Sequence, residues 1–214
     1  MKKSFSLILS VVLIFQFIIG VGAYTFNENP LYTVEIPDGF GRVAENKFVS
    51  DDKGTFTVFI TDNAEEKFCV ADLDDSEMKE YAEGIAKSGE EGFKSLGMVG
   101  SVTVVSAEKL KHTNGKTALV MVFKATAKVE GKEEIRYEKM YEFTCIDNKF
   151  SFTYTPEKEE QVNDFDDCFN SIIINEAQIQ SVGDKVTTGA LYGGIILLLV
   201  LGIIRFIKPA KKKK

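Results

Sequence analysis

Over 214 residues the chain is 44% hydrophobic and sets 32 Asp+Glu against 26 Lys+Arg, a formal net charge of −6, with one His, three Cys and no Trp. All 32 acidic residues but only 18 basic ones lie between Tyr24 and Lys185, so that stretch carries −14. Such a surface repels phosphate backbones and excludes nucleic acid as a partner. One histidine and three scattered cysteines give no zinc spacing and leave room for one disulfide at most.

Met1-Lys2-Lys3 is a short basic start, and Phe5–Gly20 is apolar apart from Ser6, Ser10 and Gln16. Val21-Gly22-Ala23 then offers the small residues that a signal peptidase reads, which predicts a signal peptide over 1–23 and a mature start at Tyr24. An uncleaved N-terminal anchor is the alternative. Residues 24–177 are enough for one domain with a real core, and no internal repeat or Pro/Ser-rich stalk interrupts them.

Leu31–Pro37 alternates Tyr32, Val34 and Ile36 against Thr33 and Glu35, the pattern of a strand closed by a Pro-Asp-Gly turn. Arg42–Ser50 is a weaker strand, and Thr55–Thr61 resumes after the turn Asp51–Gly54, making a hairpin. Asp74 or Asp75 caps a helix through about Leu96, with Met78, Tyr81, Ala82, Ile85, Ala86, Phe93 and Leu96 as its apolar stripe. Gly84, Gly89 and Gly92 weaken it, and a break near Ser88-Gly89 is expected. Ser101–Leu110, Thr117–Val129, Glu134–Ile146 and Phe150–Thr155 then read as a four-stranded meander, turning at Asn114-Gly115, Glu130-Gly131-Lys132 and Asp147-Asn148. On Thr117–Val129, Val120 and Val122 lie opposite the main apolar face, so both sides of that strand are covered. Val162, Phe165, Phe169 and Ile172 repeat at helical spacing in a last helix. The expectation is α+β: an antiparallel sheet of six or seven strands flanked by helices.

Two stretches carry a family resemblance. Tyr32-Thr33-Val34-Glu35-Ile36-Pro37-Asp38-Gly39-Phe40 resembles the opening of the PsbP-like fold: a strand, a Pro, a turn Gly and an aromatic. Phe150-Ser151-Phe152-Thr153-Tyr154, then Phe165, Phe169 and Ile172-Ile173, resembles its last strand and helix. The chain departs in lacking any Trp, Phe40 standing where that aromatic is often Trp. The resemblance implies an α/β/α sandwich over about Leu31–Asn175, and a function of binding other proteins without catalysis, since the family holds photosystem subunits, a nuclear-transport factor and bacterial envelope proteins.

No catalytic constellation stands out. His112 belongs to the polar turn Lys111–Asn114, where a solvated, loosely held side chain is expected. Ser106-Ala107-Glu108-Lys109 fits S-x-x-K only in spelling, because residues three apart on a strand point to opposite faces. Asp72–Glu77 begins like a calcium loop, but Glu77 takes the place of the required Gly; a helix N-terminus with acidic residues fits better. No catalytic, cofactor or metal residue is therefore assigned. Cys145 falls on an apolar strand face as a buried thiol, and Cys69–Cys168 is the pair to expect if a bridge forms; the alternative is three reduced thiols.

Gln178–Thr188 reads as a short polar linker, and 189–207 as a membrane-spanning helix: Ala190–Ile204 holds no charge, and about 20 residues at about 1.5 Å each cross a hydrocarbon core. Arg205, Lys208, Lys211, Lys212, Lys213 and Lys214 follow, so the basic tail 208–214 is placed inside and the domain outside. Gly189 and Gly193 form a G-x-x-x-G through which two spans could approach as a weak homodimer. Lys185-Val-Thr-Thr-Gly189 lacks the Leu-Pro of a sortase site, which keeps the chain in the membrane. The Lys-rich, Trp-free composition and the Met-Lys-Lys start fit a Gram-positive bacterium; in a eukaryote the final lysines would be a retrieval signal. The expected function is a non-catalytic, membrane-anchored extracytoplasmic module docking on another envelope protein. The alternative is a small-ligand or lipid-binding envelope protein.

Overall fold

The computed structural model describes residues 24–129 and 132–179. The expected signal peptide, the linker from residue 180 on, the span with Gly189 and Gly193, and the tail with Arg205, Lys208 and Lys211–Lys214 lie outside the described residues. No described helix is long and apolar enough to cross a membrane.

In chain order the elements are β1 (Tyr24–Phe26), β2 (Tyr32–Ile36), β3 (Gly41–Ala44), β4 (Lys47–Ser50), β5 (Gly54–Asp62), α1 (Asp75–Ser95), β6 (Gly100–Lys111), β7 (Thr117–Val129), β8 (Lys132–Thr144), β9 (Asn148–Pro156), a 3-10 turn (Glu159–Gln161), α2 (Asp166–Asn170) and β10 (Ile173–Ile174). Seven strands form one antiparallel sheet in the order β3-β4-β5-β9-β8-β7-β6. The first hairpin therefore closes onto the last long strand, Thr57 facing Thr153 and Val58 facing Phe152.

Three expectations change. Leu31–Pro37 is a strand but does not enter the main sheet; β2 pairs with β1 and β10 in a second, three-stranded sheet. Alternation every second residue says that Tyr32, Val34 and Ile36 share a buried face, but not which sheet they join. Arg42–Ser50 is two strands folded back at Glu45-Asn46, and the Asn46 amide oxygen accepts the Tyr32 hydroxyl at 2.9 Å. The last apolar repeat is not one helix. It divides into the 3-10 turn and the short α2 around Asn163-Asp164, residues whose side chains favour turns over helix interiors.

Helix α1 runs unbroken through Ser88-Gly89. The Ser88 hydroxyl donates to the Gly84 carbonyl at 3.1 Å, and Ser88, Gly89 and Gly92 lie on the buried side, where packing outweighs a propensity cost of about 1 kcal/mol per glycine. Leu96, expected in the stripe, is the exposed C-cap.

The sheet separates two apolar layers. On one face Met78, Tyr81, Ala82, Ile85 and Phe93 of α1 meet Val102, Leu119, Met121, Phe123 and Met140. On the other, Phe48, Phe56, Tyr141, Phe143, Phe152 and Tyr154 meet Tyr32, Val34, Ile36, Phe165, Phe169 and Ile172. Tyr141 stacks on Phe169 and Tyr154 on Phe165, with ring centres 4.1 and 4.4 Å apart. The second outer layer is thus a small sheet with a short helix, where an α/β/α sandwich would place helices alone. The domain also reaches into the expected linker. The Gln178 amide pairs with the Thr117 backbone at 2.8 Å in both directions.

Candidate functional site

The two edges of the main sheet differ. β3 is four residues long, whereas β6 runs for 12 and pairs only with β7 among the described residues. Along β6 lies an open groove of about 610 Å³, walled on one side by Asp75, Lys79, Glu83, Lys87 and Glu90 of α1 and on the other by Val102–Ala107. Spacings of three and four put those five charges on one helix face. Lys79 and Glu83 form an exposed ion pair at 3.8 Å. The groove is tied at both ends: Glu90 accepts the Val102 amide at 3.2 Å, and the Lys109 ammonium donates to the Leu73 carbonyl at 2.7 Å. Between them a β-bulge interrupts the pairing at Val105, whose side chain is 56% exposed. Bulges and charges are the usual devices that keep an edge from pairing indiscriminately.

A second cluster lies on the α1 side of the same sheet, toward β9 and β5. There Glu142 and Ser151, and the Thr153–Thr57 pair beside Met140, replace the apolar residues found under α1. Glu142 is fully buried and accepts the Tyr81 hydroxyl at 2.5 Å and the Ser151 hydroxyl at 3.5 Å. Burial pushes its carboxyl up, partly offset by the Lys149 ammonium; burial pushes that ammonium down, and Glu142 draws it back. Glu138, 1% exposed, has only the Thr155 hydroxyl at 3.5 Å, and burial pushes its carboxyl up from the usual 4.5 to about 7. Sequence reasoning missed this cluster. The signal was available in β7: if both its faces are covered, the second face of the neighbouring β8, with Glu138 and Glu142, is covered as well.

The structure disperses the residues weighed as catalytic. His112 is not a solvated turn residue. It is 3% exposed, its Nε2 donates to the Phe169 carbonyl at 2.7 Å, and its Nδ1 accepts the Asn114 amide at 3.1 Å. The ring stands edge-on to Phe143 at 5.1 Å, so the turn folds inward and the histidine anchors it to α2. Ser106 pairs opposite Val122 and Lys109 opposite Leu119, which places them on opposite faces. Asp74 is the N-cap of α1, accepting from Ser76 and Glu77 at 2.8 and 2.9 Å in a capping box. Among the described residues no group of three or more His, Cys, Asp or Glu could hold a metal ion. All three cysteines are buried free thiols, and the Cys69–Cys168 bridge is not formed. Cys168 sits in the α2-side core, while the Cys69 thiol lies against the Ile179 carbonyl.

With the seven-stranded order and its covering layers in place, the comparison with solved structures decides the architecture. The solution structure of cyanobacterial PsbP (CyanoP) from Synechocystis sp. PCC 6803 is similar at a TM-score of 0.50 and 12% sequence identity, over 72% of this chain and 93% of that one. The fold is PsbP-like. No protein-family model and no curated protein sequence matches the chain. Within this PsbP-like fold the groove and the buried Glu138 cluster lie on the same side of the sheet as α1, and the small sheet carrying Tyr32–Ile36 lies on the other.

Proposed function

We propose that this chain is a non-catalytic docking module, anchored by one C-terminal span with its domain outside the membrane, that accepts an extended segment of another envelope protein along β6. The observation that carries the reading is the 12-residue edge strand β6, which has no described strand partner on its outer side and a groove beside it. An added antiparallel strand would pair with the edge backbone and place alternate side chains in the groove, the recurring way in which extended peptides bind sheet edges. The charge of −14 between Tyr24 and Lys185 favours a basic segment. The uncharged run Ala190–Ile204 and the lysines after it support the anchor and its orientation.

The test uses the full-length chain in its native membranes, with a photo-crosslinking residue at Val105 on β6 or at Val43 on β3, both exposed. One discrete adduct from Val105 and none from Val43, mapping to an extended basic segment of the partner, is the expected result. Equal labelling from both positions, or from neither, overturns the reading.

A further inference from the structure

The last described residues are fastened to one end of the main sheet. Glu176 accepts the Asp147 and Asn148 amides and the Asn148 side chain, and the Ala177 carbonyl accepts the Ile146 amide at 3.2 Å. Gln178 pairs with Thr117, and the Ile179 carbonyl accepts the Cys69 thiol at 3.6 Å. The chain therefore leaves the domain at the end that carries the β6–β7 and β8–β9 turns. Nine residues, 180–188, separate Ile179 from Gly189, where the expected span begins. Nine residues reach about 30 Å at most. The opposite end of the sheet, at Val99 and Gly100, lies the length of β6 farther away, about 40 Å.

Charge along the exit end is divided. The loop after β5 sets Asp62, Glu65 and Glu66 against Lys67, whereas Lys109–Thr117 holds three lysines and no carboxylate. Lys109 is taken up by the Leu73 carbonyl. Lys111 is exposed and Lys116 half-buried, and neither is in an ion pair among the described residues. Two strands, β9 and β8, stand between β5 and β7, so the acidic loop is about 14 Å from the lysines. That exceeds the screening length of about 8 Å at physiological salt, and a surface touching the β6–β7 corner meets it as basic despite the charge of −14. Apolar side chains flank the lysines. Leu110 is 37% exposed, and Ile146, next to the Cys145–Gln178 bridge, is 51% exposed. Ammonium groups beside exposed aliphatic side chains suit an anionic headgroup layer.

We propose that the β6–β7 corner of the domain rests on anionic lipid headgroups of the membrane that holds the anchor, through Lys111 and Lys116 with Leu110 and Ile146 beside them. The proposal rests on the C-terminal anchor of the reading above, but not on any partner at β6. It stands β6 upright on the bilayer, with Lys111 lowest.

The test reconstitutes the full-length chain in vesicles of phosphatidylglycerol and phosphatidylcholine that contain a nitroxide-headgroup lipid, with a fluorophore on Ile146→Cys or on Val99→Cys. The native thiols are buried and stay unlabelled. Quenching should be strong at 146 and slight at 99. It should fall about fivefold with each lysine removed in Lys111→Gln and Lys116→Gln, and fall likewise in phosphatidylcholine alone. A chain that fails to float with the vesicles overturns the anchor and this proposal together. A chain that floats but is quenched equally at both positions overturns this proposal alone, as does quenching at 146 that ignores both the lysines and the lipid charge. Far-UV circular dichroism of the variants separates lost contact from lost fold.

Discussion

Glu138 shows how one buried residue can make stability depend on pH. Its carboxyl binds a proton more tightly when folded, at about 7, than at the usual 4.5 of an unfolded chain. The stability linked to it is therefore full below about pH 4.5 and is lost as pH rises through 7. That shift corresponds to about 3 kcal/mol. Urea melts of Glu138→Gln should show a smaller loss, since burial raises Glu142 in the same direction, the variant gaining on the parent at pH 8 and not at pH 4; parallel curves would place the titration elsewhere. The cysteines give a second test at this scale. Burial pushes Cys145 up to about 12 and raises Cys69 and Cys168, and all three side chains are enclosed. A thiol reagent at pH 8 should find no reactive group in the folded protein and three in denaturant. Rapid native reaction at any of them would contradict this packing. His112 makes the complementary point. Its place in a polar turn was legible in the sequence, but its burial was not, because the carbonyl that holds it belongs to Phe169, far along the chain.

Helix α1 is the element whose sequence speaks most directly. The Asp74 cap, the acidic first turn and the stripe from Met78 to Phe93 each appear as local patterns. Asp74→Ala should cost about 1 kcal/mol in equilibrium unfolding, since it leaves the Ser76 and Glu77 amides without their acceptor. A loss near zero would mean that water replaces the cap. The strands are less direct. Gly54 stands at φ +120° at the start of β5, and a Cβ there would lie 2.2 Å from the Thr155 carbonyl oxygen. Gly54→Ala should cost about 3 kcal/mol or more, because both the backbone angle and the β5–β9 approach forbid the side chain. The turn Asp51–Gly54 is visible in the sequence, yet the reason that only glycine fits is a strand about a hundred residues later. On the outer edge, Val105→Lys should leave stability within about 0.5 kcal/mol of the parent while reducing co-purification of a basic partner segment, because Val105 packs against little.

For the whole molecule, the sequence by itself determined what rests on neighbours in the chain. Period-two alternation gave the strands, spacings of three and four gave α1, and Asn114-Gly115 and Asp51–Gly54 gave the turns. The run of element types was enough for an α+β class with an antiparallel sheet, and the resemblance carried by Tyr32–Phe40 and Phe150–Tyr154 agrees with a PsbP-like fold. The charge of −14 outside the two ends is likewise a property of sequence alone. Tertiary structure decided everything that depends on which surfaces meet. It placed β2 in a separate sheet with β1 and β10, joined β5 to β9, left β6 as a long edge with no described strand on its outer side, and split the last helix. It also buried Glu138, Thr57 and His112 in places their local sequence marks as polar. The physical reason is common to all of these. Local patterns record which side of an element turns away from water, but which partner covers that side is fixed by contacts between residues far apart in the chain.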